Sequence, residues 1–206
     1  MKFLLFTFCL EQPRPHAMQC KEDIVRFIIR LNPTTTRDSW DAAFQAVRDG
    51  VSVNTQTKVG ATLLHMACCW GLASVIKTLL YDLGADPSIE DCDNWRPMHY
   101  AACHGRLTVC KMLPKADLAA RASSRYKRRT PLEIALNHVA NPLRPGDLVH
   151  WMVDQPECPL DGFYLSPRLS PLPLTTLPYI AAAAAGRRRW SALRAAFVGA
   201  VGVCGP

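Results

Sequence analysis

The strongest constraint on this chain is that it repeats itself. Laying Thr62–Ala67 over Arg96–Ala101 takes an offset of 34 residues, and the same offset carries Gly71 onto Gly105 and Val75 onto Val109. It also carries Arg96-Pro97-Met98 onto Thr130-Pro131-Leu132 and, in the other direction, Gly84 onto Gly50. A constant period of this length means stacked units, none of which can bury its apolar face alone. The chain must therefore fold as an array.

Within the best-defined unit the apolar spacing is helical. Thr62 to Trp70 reads as a first helix and Ala73 to Asp82 as a second, with Leu64, Val75, Ile76, Leu79 and Leu80 directed inward. Small Ala67 and Cys68 let the helices approach, and Gly71 and Gly84 suit left-handed helix ends. Upstream, Lys21 to Leu31 places Ile24, Phe27, Ile28 and Leu31 on one face, and a helix capped by Thr36 or Asp38 continues through Trp40, Phe44 and Val47. Downstream, a helix from Leu107 to Leu113 must kink or stop at Pro114, since proline lacks the amide hydrogen. Asp147 to Val153 offers the second helix of a last unit.

The motifs Thr62-Leu63-Leu64-His65-Met66-Ala67, Arg96-Pro97-Met98-His99-Tyr100-Ala101 and Thr130-Pro131-Leu132-Glu133-Ile134-Ala135, with Gly84-Ala85-Asp86, resemble the ankyrin repeat, whose unit of about 33 residues carries T-P-L-H-x-A. The resemblance implies an all-α solenoid of helix-turn-helix units with protruding loop fingers, about three to four units including degenerate ends. It implies that His65 hydrogen-bonds to backbone and ties adjacent loops together. The additional residue of the 34-residue period falls near Leu83. Leu63, Arg96 and Glu133 depart from the family pattern, and the glycine turn is missing at Leu118-Ala119-Ala120, so a loose join is expected there. The expected organisation is an apolar segment with a capping helix over residues 1–35, a repeat domain over 36–155, and a Pro/Ala/Arg-rich disordered tail over 156–206.

The net charge of +7 is spread as 5 basic against 3 acidic residues up to Thr35, 13 against 10 from Thr36 to Ala140, and 6 against 4 beyond. This diffuse excess does not point to nucleic acid. Nine cysteines, several at repeat positions, read as reduced thiols of a cytoplasmic or nuclear protein. Met1-Lys2 before Phe3–Leu10 has the charged start of a secretory signal, but the apolar run is short and closed by Glu11, so secretion is the lesser expectation. Arg187, Arg188, Arg189 and Arg194 break the apolar C-terminal stretch, leaving no membrane-spanning run.

Because consensus positions of such arrays are buried, function is expected at the others. The offset aligns Met66, Tyr100 and Ile134, then Cys69, Cys103 and Asn137, then Trp70, His104 and His138, along a concave face. Finger tips fall at Lys58, Val59 and Ala61, at Cys92, Asp93 and Trp95, and at Tyr126, Lys127 and Arg129. Met66, Trp70, Trp95, Tyr100, His104, Tyr126, Lys127 and Arg129 are the expected contacts with a protein partner, aromatic rings and arginine being typical of binding hot spots. Packing of Trp70 and Trp95 against neighbouring loops is the alternative. No C-x-x-C pair supports a metal site, and Cys103 beside His104 has no orienting partner, so neither an enzyme nor a cofactor is expected. The basic run Arg121–Arg129 reads as an import signal, a contact for an acidic partner, a site regulated through Ser123 and Ser124, or a solvated long finger. Pro171-Leu172-Pro173 before Tyr179-Ile180 is similar to the cullin-contact end of a SOCS box, which makes a ubiquitin-ligase substrate receptor the second reading after adaptor or scaffold.

Overall fold

A computed structural model describes residues 20–31, 35, 37–123, 125, 128–137, 145–160, 182–183 and 185–186. Its helices are α1 (Lys21–Arg30), α2 (Arg37–Arg48), α3 (Leu63–Trp70), α4 (Ala73–Lys77), α5 (Pro97–Cys103), α6 (Leu107–Met112), α7 (Pro131–Asn137) and α8 (Pro145–Asp154). No strand occurs among the described residues, and no helix there is long and apolar enough to cross a membrane.

Consecutive helices pair into units, and the units stack. First helices pack on one another, α3 on α5 and α5 on α7, while α4 packs on α6. The stacking is close because the facing residues are small. Ala67, Cys68, Ala101 and Ala102 are buried, and fully shielded Leu63, Leu64, Ile76, Leu79, Met98, Leu132 and Leu136 fill the interior. At the N-terminal end Ile24, Phe27, Ile28 and Leu31 are buried as the sequence indicates, with Phe27 edge-on to Trp40 at 5.1 Å.

Local chemistry sets the helix ends. Thr62 caps α3, accepting the His65 amide, and Gly71 closes it in the left-handed conformation at φ 75°. The departure at Leu63 is thus offset by a cap. In α7 the Thr130 amide donates to Glu133 Oε2 at 2.8 Å, while Thr130 Oγ1 accepts the Glu133 amide at 3.4 Å. Glutamate therefore completes a capping box where the motif elsewhere has histidine.

Two joins carry the irregularities. After Lys77 the second helix continues as a π-helical turn, Thr78–Asp82, in which the Leu83 amide reaches back to the Thr78 carbonyl at 3.0 Å. A π turn holds one more residue than the α-helix it interrupts. This absorbs the extra residue of the period and leaves Tyr81 72% exposed. In the next unit α6 ends before Pro114 and a 3₁₀ turn, Lys115–Ala119, follows. The expected looseness is not found: Leu118 is fully buried and Asp117 pairs with Arg96 at 2.9 Å. Arginine at the position of the motif's threonine reaches across to the following turn, which is why the glycine turn can be dispensed with. Packing also continues beyond residue 155, with Cys158 and Leu160 in the core.

Glycine is indispensable at one finger. Gly60 has φ 81°, and a Cβ there would lie 2.7 Å from the Asp91 Cα of the next finger. Gly84, at φ 68°, has nothing within 4 Å. Gly84→Ala should cost about 1–2 kcal/mol from backbone strain alone, and Gly60→Ala about 1–3 kcal/mol more because backbone must move. Urea unfolding of both variants checks this, and equal losses would contradict the close finger contact.

Candidate functional site

The fingers are tight turns built the same way twice. The Thr57 amide donates to the Ala61 carbonyl at 2.9 Å, and the Asp91 amide to the Trp95 carbonyl at 3.0 Å. In each, the first side chain accepts the amide four residues on, Ala61 to Thr57 Oγ1 at 3.1 Å and Trp95 to Asp91 Oδ1 at 2.9 Å. The fingers then join, the Cys92 amide donating to the Val59 carbonyl at 3.0 Å.

His65 fastens this row to the helices. Its Nδ1 accepts the Thr62 amide at 3.1 Å, so the proton resides on Nε2, which donates to the Trp95 carbonyl at 3.0 Å. The expected tie between adjacent loops is therefore present. Burial keeps the ring's pKa below its ordinary value, partly offset by the Trp95 backbone. His99 repeats the inner half, accepting the Arg96 amide at 3.0 Å. Its Nε2 is shielded without a hydrogen bond of good geometry, and burial lowers its pKa to about 4, the Ala120 backbone partly opposing the shift.

Around the second finger the aromatic residues interlock. Trp95 lies edge-on to Tyr100 at 5.4 Å and tilted on His99 at 6.0 Å, while His65 meets Tyr100 edge-on at 5.3 Å. The Tyr100 hydroxyl donates to Asp91 Oδ2 at 2.7 Å, and burial followed by Asp91 raises its pKa. Trp95 and Tyr100 are thus half-buried parts of the finger's support as well as of its surface. Sequence reasoning missed Asp91, whose signal was its place four residues before Trp95, matching Thr57 before Ala61.

Along the first helices Met66, Trp70 and His104 are half-buried. The Trp70 indole N–H is shielded and has no acceptor among the described residues. His104 Nδ1 donates to the Tyr100 carbonyl at 3.0 Å, leaving Nε2 to face the Cys69 sulfur at 3.6 Å. The thiol beside His104 Nε2 is therefore Cys69 of the preceding unit, rather than adjacent Cys103. Burial raises the pKa of Cys69, more than offsetting nearby Arg106, and that of Cys103 to about 11. Both remain thiols near neutrality, which makes them poor nucleophiles. Among the described residues no three His, Cys, Asp or Glu side chains gather so as to hold a metal ion, and no disulfide joins the described cysteines to one another.

Arg129 is half-buried, and its carbonyl accepts the Ala122 amide at 3.0 Å. Tyr126, Lys127 and His138 lie outside the described residues, as do Pro171–Pro173 and Tyr179-Ile180. At the inner end of the second finger Arg96 donates to Glu90 and Asp117 at 2.9 Å each. Burial pushes the Asp117 carboxyl upward despite the pull of Arg96.

A family model described as ankyrin repeats (three copies) matches residues 16–123 and 64–154. The chain belongs to the ankyrin-repeat family. Ankyrin repeats generally mediate protein–protein interaction, and proteins built of them are typically non-enzymatic. Over 56 residues the chain is 43% identical to Protein phosphatase 1 regulatory subunit 12A of Mus musculus and of Rattus norvegicus. That match covers 27% of this chain and 5% of each relative's length.

The buried histidine gives this ankyrin array a pH dependence. The unfolded chain takes up a proton at His99 near the ordinary value of 6.5, whereas the native state resists it until about pH 4. Stability from this residue is complete above pH 6.5 and falls as pH drops toward 4, by about 3 kcal/mol. Urea unfolding across that range should show the loss. His99→Gln, which keeps a side chain able to cap the helix, should show a shallower decline, and an equal slope in both would contradict the assignment.

Proposed function

We propose that the chain is a non-enzymatic adaptor or scaffold, binding a protein partner through the concave face and finger tips of its ankyrin array. Met66, Trp70, Trp95, Tyr100, His104, Tyr126, Lys127 and Arg129 are its contact residues. The observation that supports this reading is the row of half-buried Met66, Trp70 and His104 along the first helices, whose side chains still reach the surface. Such half-buried apolar and aromatic side chains leave surface that a partner would cover. His104, one unit further, continues the same row with its ring fixed by the Tyr100 carbonyl. The likeness to a phosphatase regulatory subunit supports a role exerted through another protein. Cytoplasmic placement agrees with described cysteines that form no disulfide with one another.

A photo-crosslinking amino acid placed singly at Met66, Trp70 or His104, and for comparison at exposed Lys77 or Lys111 on the second helices, tests this reading in cells. The expected result is one shared set of protein adducts from the first three positions and none of that set from Lys77 or Lys111. The same adducts from both faces would overturn the site.

A further inference from the structure

The 34-residue offset brings Gly60, Asn94 and Arg128 to the same turn, and all three are left-handed, at φ 81°, 57° and 52°. Glycine adopts this conformation freely and asparagine tolerates it, but for arginine it costs free energy. The third finger is also built differently. Its closing bond runs from the Ala122 amide to the Arg129 carbonyl, and the Arg128 amide donates to the Ser123 carbonyl at 3.1 Å, so the tip is longer than that of Thr57–Ala61 or Asp91–Trp95. The Ser123 amide, donating to the Asp93 carbonyl at 2.8 Å, holds the finger beside its neighbour.

This longer tip presents Arg121, Arg125 and Arg128 exposed and Arg129 half-buried. Against them stands one ion pair among the described residues, Arg125 with Asp93 at 3.8 Å, in which the arginine side chain is 79% exposed. Such a pair neutralises little. The other carboxylates of the neighbouring finger are committed elsewhere, Glu90 to Arg96 and Asn94, and Asp91 to Tyr100 and two amides. Arg121 donates to the Arg128 carbonyl at 3.3 Å, which stiffens the turn that projects the Arg128 side chain.

We infer that the third finger is a receptor for a short acidic segment of a protein partner, with Arg121, Arg125 and Arg128 supplying the charge. The strained backbone at Arg128 is retained where glycine would relax it, and what arginine adds there is a guanidinium at the tip. The acidic second finger sets the length of the ligand. A long polyanion lying along the row would meet Glu90, Asp91 and Asp93, whereas carboxylates confined to one finger, about three residues of extended chain, would not. The inference deepens the protein-binding reading above and rests on it.

The test is fluorescence anisotropy of a labelled triglutamate peptide with the full chain, beside thermal unfolding. The native protein should bind the peptide with an affinity that falls as salt rises. Arg128→Gly should weaken binding about threefold to fivefold while raising the melting temperature by about 2–4 °C. Arg128→Lys should keep most of the binding without the thermal gain. Undetectable triglutamate binding, Arg128→Gly binding at native strength, or a melting temperature not raised by that variant overturns the inference. Equal binding of a single-stranded oligothymidylate overturns it in favour of nucleic acid. Any of these failures leaves crosslinking at Met66, Trp70 and His104 intact, and loss of that crosslinking is the separate mark against the broader reading.

Discussion

The array depends on a neutral imidazole held between two repeats. His65 accepts an amide from its own helix start and donates to the Trp95 carbonyl of the next finger, so a single ring fixes the helix cap and the inter-repeat register together. In a repeat protein each unit contacts only its neighbours, and stability is the sum of such junctions. Protonation would remove the acceptor, which is why burial of this ring and of His99 matters more than their hydrogen-bond energies alone.

From that junction the placement of the surface follows. Once the Trp95 carbonyl is fixed, Asp91 closes the second finger and Tyr100 braces it from the helix. Trp95 and Tyr100 consequently serve support and surface at once, whereas Trp70 keeps a shielded N–H without an acceptor among the described residues. The third finger follows a different course. Among the described residues the Ser123 amide ties it to the second, and its longer tip exposes Arg125 and Arg128.

The period made the solenoid legible, because Gly71 and Gly84 at helix ends and the helical spacing of Leu64, Val75, Ile76 and Leu79 act within a few residues of themselves. It also placed the additional residue near Leu83, though not the π turn that holds it. What stayed hidden were meetings between distant positions: Cys69 with His104, Arg106 lying over Gly71, and Arg96 reaching Asp117. Each joins positions 21 to 35 residues apart, and the sequence does not state how two helices are rotated against each other. The expected loose join failed for this reason, since Arg96 looked like a lapse from the motif until its partner was in view. The exposed row was legible as positions, but their division between bracing and availability was not.

The His65 side chain offers the most direct measurement of the whole account. Nitrogen-detected NMR of the imidazole at neutral pH should show the neutral Nε2–H tautomer, a ring proton protected from solvent exchange, and a titration midpoint below 6.5. A ring that titrates at its ordinary value and exchanges its Nε2 proton as fast as free imidazole would contradict the junction on which the array is built.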